Sequence, residues 1–93
     1  MSESEKQARI FKVLSAETRV RMIELLKHQS LCVNALARSL DITPAAVSQH
    51  LRVLRDADIV VADKKGYFVH YRVNPHTLAW WSEMTMNLFE TKE

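Results

Sequence analysis

The joint Asp41-Ile42-Thr43-Pro44 is the feature that most limits how this chain folds. Before it, Val33, Leu36, Ala37 and Leu40 recur at i, i+3, i+4 and i+7, the single apolar stripe of a short helix. Asp41 tolerates the left-handed backbone of a tight turn better than most residues. Thr43-Pro44 then starts a second helix, because the threonine hydroxyl accepts from the orphan N–H groups and proline suits the first helical position. Two short helices separated by so few residues must cross, so the pair reads as a helix-turn-helix.

The second helix is expected to run to about residue 56. At 100° per residue, Ala46, Val47, His50, Leu51 and Leu54 share one arc, and Ala45, Ser48, Gln49, Arg52 and Arg55 share the opposite one. A major groove about 12 Å wide admits one helix, and Ser48, Gln49 and Arg52 have the donors and acceptors to read base edges there. Thr43 and the N–H groups at the helix start suit a phosphate. His50 falls inside the apolar arc, so it reads as a packing or hydrogen-bonding residue rather than a base contact. A polar helical face taken alone is usually just solvated; the following segment changes that reading.

From Ile59 the pattern turns to period 2, with Tyr67, Val69, Tyr71 and Val73 on one side and Phe68, His70 and Arg72 on the other. Asp63-Lys64-Lys65-Gly66 separates this strand from an earlier one at residues 59–62, and the glycine supplies the positive φ that hairpin loops need. The expectation is a two-stranded wing with a basic tip, placing Lys64, Lys65 and His70 against the flanking backbone or minor groove. A helix-turn-helix followed at once by such a hairpin is far more specific than either piece.

Around this unit, Ile10, Phe11 and Leu14 mark a first amphipathic helix ending near Ser15, whose hydroxyl is placed to cap the next. Residues 16–27 form that next helix. Its Val20, Met22, Ile23, Leu25 and Leu26 spread over more than one face, as in a centrally packed scaffold. Pro75 opens a last helix in which Leu78, Trp81, Met84 and Leu88 recur at near-heptad spacing beside Trp80 and Phe89. The fold class is therefore mostly α with a two-stranded β wing: a winged helix-turn-helix of four helices, a hairpin and a fifth helix, forming a single domain over residues 1–93.

A chain of 93 residues buries only a modest share of its surface. Ile10, Phe11 and Leu14 on the first helix and Leu78, Trp81, Met84 and Leu88 on the last are accordingly expected to meet a second copy in a homodimer. A ligand pocket lined by the same aromatic and methionine stripe is the other reading. Residues 1–37 and 38–72 each carry six bases and four acids, whereas residues 73–93 carry one base and three acids. The C-terminal segment is thus expected to face away from a polyanion. One cysteine, Cys32, excludes an intramolecular disulfide framework and fits a reducing compartment. The start MSESEKQARI has no apolar run of the signal-peptide kind, and nothing approaches the roughly 18 apolar residues of a span. The expected place is the cytoplasm, with no membrane partner.

The segments Leu14-Ser15-Ala16-Glu17-Thr18-Arg19, Leu31-Cys32-Val33-Asn34-Ala35-Leu36 and residues 46–55, AVSQHLRVLR, resemble the ArsR family of bacterial repressors over nearly the whole chain. The resemblance implies a winged-helix dimer, held by its first and last helices, that occupies operator DNA and is released by a small effector. It also implies that the helix from Thr43 reads the groove. Asp58 stands where the family commonly has a glycine, which leaves the turn into the wing open. Arsenic-sensing members carry Cys-Val-Cys where this chain has Cys32-Val33-Asn34, and one thiolate is a poor site for a thiophilic metal. Zinc-sensing members have carboxylates and imidazoles at the positions matching Asn74, His76, Asn87 and Glu90, and two of these four are amides, weak zinc ligands. No metal or other cofactor is expected, and the effector stays unidentified. Oxidant sensing by Cys32 is a weaker reading than an inert half-buried thiol.

Two other classes compete. A winged helix used only for protein contact has no need of a basic tip or of the Ser48, Gln49 and Arg52 face. An enzyme reading lacks a Gly-rich phosphate loop, an acid/base pair and an activated nucleophile. The sequence therefore points to a DNA-binding repressor whose partners are double-stranded DNA, a second copy and an unknown small effector.

Overall fold

A computed structural model describes residues 1–91, so Lys92 and Glu93, the end of the expected single unit, lie outside the described residues. Among the described residues the order is α1 (Glu3–Val13), α2 (Glu17–His28), α3 (Val33–Leu40), α4 (Pro44–Asp56), β1 (Val60–Lys65), β2 (Phe68–Val73) and α5 (Pro75–Phe89). This is a winged helix-turn-helix in the expected order.

Local chemistry sets the helix ends. Ser2 and Glu5 form a reciprocal capping box on α1. Ser15, expected to cap α2, instead donates through Oγ to the Lys12 carbonyl at 2.7 Å and so closes the end of α1. Helix α2 begins after Ala16 with no side-chain cap. Asp41 leaves α3 at φ 54°, with Ile42 N–H reaching back to the Ala37 carbonyl, and Asp58 leaves α4 at φ 61°, with Ile59 N–H reaching the Leu54 carbonyl. Both are left-handed exits of the Schellman type, made with aspartate where glycine is usual.

Helix α2 packs against α3, α4 and β2, as a central scaffold does. Met22, Leu36, Val47, Leu54 and Ile59 are fully buried where these elements meet. Each such side chain contributes about 1.5–3 kcal/mol of burial. Helix α1 packs mainly on α5, and its Ile10 joins the same core.

The hairpin is tighter than the sequence reading placed it. The antiparallel register runs from Val60 opposite Val73 to Lys65 opposite Phe68, leaving Gly66 and Tyr67 as a two-residue turn. Gly66 has φ 63° at the first central position, the geometry in which glycine avoids a Cβ clash. Lys64 and Lys65 therefore belong to β1 and not to the loop. Leu31, in the link between α2 and α3, adds a single antiparallel bridge to Tyr71, with reciprocal N–H to carbonyl distances of 3.0 and 2.8 Å. That bridge fastens the wing's base to the start of the helix-turn-helix.

Candidate nucleic-acid interface

Helix α4 is held by its apolar arc. Val47, Leu51 and Leu54 are buried, while Ala46 and His50 are half-buried at its edge. His50 Nδ1 accepts from the Arg19 guanidinium at 3.4 Å, so it packs and bonds to α2 as its place in the apolar arc suggests. The opposite arc is open, with Ala45, Ser48, Gln49, Arg52 and Arg55 all exposed.

Thr43 is also exposed, and its Oγ1 accepts from Ala46 N–H at 3.1 Å. Pro44 carries no N–H and Val47 N–H bonds to the Thr43 carbonyl, which leaves that of Ala45 for an incoming acceptor. The Thr43 hydroxyl, which accepts from Ala46, keeps its own hydrogen to donate. One backbone N–H and one hydroxyl are thus left to donate at the positive end of α4.

Between α4 and the wing runs an open groove of about 670 Å³, lined by Ser48, Arg52 and Arg55 on one side and Ala62 and Tyr71 on the other. The Arg55 guanidinium carbon lies 6.0 Å from the centre of the Tyr71 ring, so the base of the wing steadies this arginine. Lys64 and Lys65 are exposed on β1. As strand neighbours they point to opposite faces, and Lys64 shares its face with Ala62 and Tyr71. Arg72, by contrast, is paired with Asp63 at 2.7 Å. His70 is half-buried, with its Nδ1 shielded and without a hydrogen-bond partner, so its ring is less open than the two lysines. The sequence reading missed the aromatic tip: Tyr67 is fully exposed and Phe68 65% exposed, because the two-residue turn lifts both off the body.

The family model for bacterial regulatory proteins of the arsR family matches residues 16–61, a span from α2 to the start of β1. The chain is 30% identical over 69 residues to the transcriptional repressor SdpR of Bacillus subtilis (strain 168), covering 74% of this chain and 77% of that protein. It belongs to the ArsR family. It is also 40% identical over 72 residues to the arsenical resistance operon repressor of Escherichia coli (strain K12), covering 76% of this chain but only 62% of that longer protein. The structure superposes on an ArsR-like transcriptional regulator from Rhodococcus sp. RHA1 with a TM-score of 0.80, 25% identity and coverage of 91% and 80% of the two chains. These relatives are transcriptional regulators, not enzymes.

Of the four positions matched to those of zinc-sensing members, the two amides are engaged otherwise. Asn74 caps α5, accepting from His76 N–H at 3.1 Å, and Asn87 Nδ2 donates to Glu3 Oε2 at 3.3 Å. Cys32 is half-buried at the start of α3. Among the described residues no three His, Cys, Asp or Glu side chains converge as a metal site, and no helix is long and apolar enough to cross a membrane.

Burial within one protomer separates the residues expected at an ArsR dimer seam. Ile10, Trp81 and Met84 are 2%, 6% and 8% exposed inside a single protomer, because α1 and α5 pack face to face and use them as their own core. Buried Gln7 locks that contact, its Nε2 donating to the Met84 carbonyl at 3.0 Å. Leu14 and Leu78 are half-buried against the same core. Of the residues expected at the seam, Phe11 and Leu88 are left exposed. Phe89, which meets Phe11 edge-on at 6.1 Å, is exposed as well, as are Trp80 and Met86 elsewhere on α5.

Proposed function

We propose that this ArsR-family chain is a sequence-specific DNA-binding transcriptional repressor that acts in the cytoplasm as a homodimer on a palindromic operator, and that a small effector releases it. The observation that carries this reading is the open Ser48, Gln49 and Arg52 face of α4, set beside a wing bearing Lys64 and Lys65. In this reading Ser48, Gln49 and Arg52 meet base edges, while Thr43, Ala45 and Arg55 meet the backbone at the groove's edge. Lys64 and Lys65, on opposite faces of β1, and more weakly His70 are set against the flanking duplex, with one of the two lysines carrying most of the phosphate contact. Exposed Phe11 and Phe89, which touch edge-on, together with Leu88 at the end of α5, offer an apolar surface suited to a second copy. The names of the relatives, repressors of transcription, support the same assignment.

Selection of bound sequences from a random duplex pool tests it. The expected result is a palindromic consensus whose half-sites are separated by about one helical turn, roughly 34 Å. A pool that stays random through repeated rounds would overturn the reading.

A further inference from the structure

Where the last turn of α4 meets α1 and α5, the protein encloses an open cavity of about 580 Å³. That lies in the range of small-molecule sites, about 300–1,000 Å³. Its floor is apolar: Ile10 and Val13 come from α1, Val53 from α4, and Trp80 and Trp81 from α5. Trp81 is nearly buried and therefore rigid, whereas Trp80 is 43% exposed and offers a ring to an occupant.

The edge of the cavity is basic. Lys6, Arg9 and Lys12 of α1 and Arg19 of α2 line it. Among the described residues the ion pairs are Lys27 with Glu24 and Arg72 with Asp63, so no carboxylate pairs with these four cations. Among the described residues Arg19 bonds to neutral groups, the Val13 and Lys12 carbonyls and His50, and to no carboxylate. Asp56 and Asp58 also line the cavity, at the α4 end, and Asp58 already accepts from Asn74 and Thr77. The cavity is thus polarised, with an excess of positive charge along α1 and an indole floor below it.

We propose that this cavity is the effector site, and that it takes an amphipathic organic anion: a carboxylate or sulfonate on an aliphatic or aromatic body. The anionic head meets the α1 bases in a charge-assisted contact, and the body lies on the tryptophans. Its regulatory half rests on the chain being a repressor. The route to DNA is short, because Val53, Asp56 and Ala57 belong to the end of the recognition helix. Arg19 joins the last turn of α1 to His50 on the same helix. A ligand that draws α1 inward acts on α4 directly, and it weakens operator binding by the ratio of its affinities for the two arrangements.

The chain's two tryptophans both line the cavity, so intrinsic fluorescence reports its occupation. Decanoate, titrated into the intact chain without DNA, should give a saturable change, and decanol should bind at least about tenfold more weakly, for want of the charge. Arg9→Gln with Lys12→Gln, both exposed positions, should weaken decanoate about tenfold and leave decanol unchanged. Bound decanoate should lower operator affinity of the wild type and have little effect on the double variant. Equal binding of acid and alcohol, or a double variant that still binds decanoate fully, would overturn the ligand class. A signal that appears only on dilution to monomers would make the second copy the occupant and overturn the site. Saturable binding with operator affinity unmoved would overturn the regulation. A chain that binds decanoate but never binds DNA would instead sink the repressor reading, leaving the ligand class standing.

Discussion

Thr77 Oγ1 donates to Asp58 Oδ2 over 3.3 Å, so the residue that turns the chain out of α4 is held by the first turn of α5. Asn74 Nδ2 reaches the same oxygen at 3.4 Å. The left-handed backbone at Asp58 costs about 1–2 kcal/mol, and the two exposed hydrogen bonds offset part of that. Asp41 has the same backbone strain and no side-chain hydrogen bond among the described residues. Asp41→Gly should therefore stabilise the protein by about 0.5–1 kcal/mol, while Asp58→Gly should be neutral or destabilising by up to about 1 kcal/mol. Denaturant midpoints compare them, and equal stabilisation would show that the Asp58 carboxylate contributes nothing.

Arg52 projects from the open arc of α4 into the groove beside the wing. If it reads a guanine edge through both of its terminal nitrogens, Arg52→Ala should cost about 1–3 kcal/mol of operator binding and relax the preference at one base position. Equal losses on operator and random duplex would identify a phosphate contact.

Lys64 and Lys65 leave β1 on opposite faces, so they cannot both meet the same row of phosphates. Replacing both by Ala should flatten the salt dependence of binding by about 0.9 log unit for each phosphate left without its lysine, with little change in specificity. The more damaging single variant should reproduce most of the double variant's slope change. Additive slopes from the two singles would mean that the hairpin lies edge-on to the duplex.

The helix-turn-helix was readable because its signals are local: a four-residue apolar stripe for α3, Thr43-Pro44 for the start of α4, and an aspartate able to take positive φ between them. The hairpin register was not, since Gly66 marks where a positive φ falls but not how many residues stand before it in the turn. Two lysines look like loop until their backbones are seen paired with Val69 and Phe68. The Leu31 to Tyr71 bridge is a single pair and leaves no periodic trace. The apolar stripe on α5 was visible, but periodicity cannot say whether a helix partner comes from the same chain. Only in three dimensions does buried Gln7, bonded to the Met84 carbonyl, show that α1 of the same chain packs on α5.

Glu5 is fully exposed, yet its carboxyl is held below the usual range because the Ser2 backbone N–H and then the Ser2 hydroxyl donate to it. A depressed carboxyl contributes stability above its unfolded pKa and loses that contribution as pH falls through the folded value. The N-terminal turn of α1 should therefore fray in acid, below the ordinary glutamate range. In Ser2→Ala the hydroxyl contact is gone, and the Glu5 titration followed by NMR should move up; an unmoved titration would leave the side-chain part of the capping box without effect.

Phe89, not the buried Trp81, is the residue of α5 whose substitution tests the dimer. Trp81 is 6% exposed in the core between α1 and α5, so Trp81→Glu buries an unpaired charge and should unfold the chain whether or not it dimerises. Phe89 is 69% exposed, touches Phe11 edge-on, and adjoins Leu88 at the end of α5. A glutamate there costs the protomer little and places charge in the apolar surface offered to a second copy. Phe89→Glu should thus sediment as a folded monomer with unchanged helical circular dichroism. Operator affinity should fall steeply, because two linked half-site contacts become one independent contact. A folded Phe89→Glu dimer with wild-type affinity would move the seam elsewhere, to the Trp80 side of α5, where Trp80→Glu would then be the variant that separates the copies.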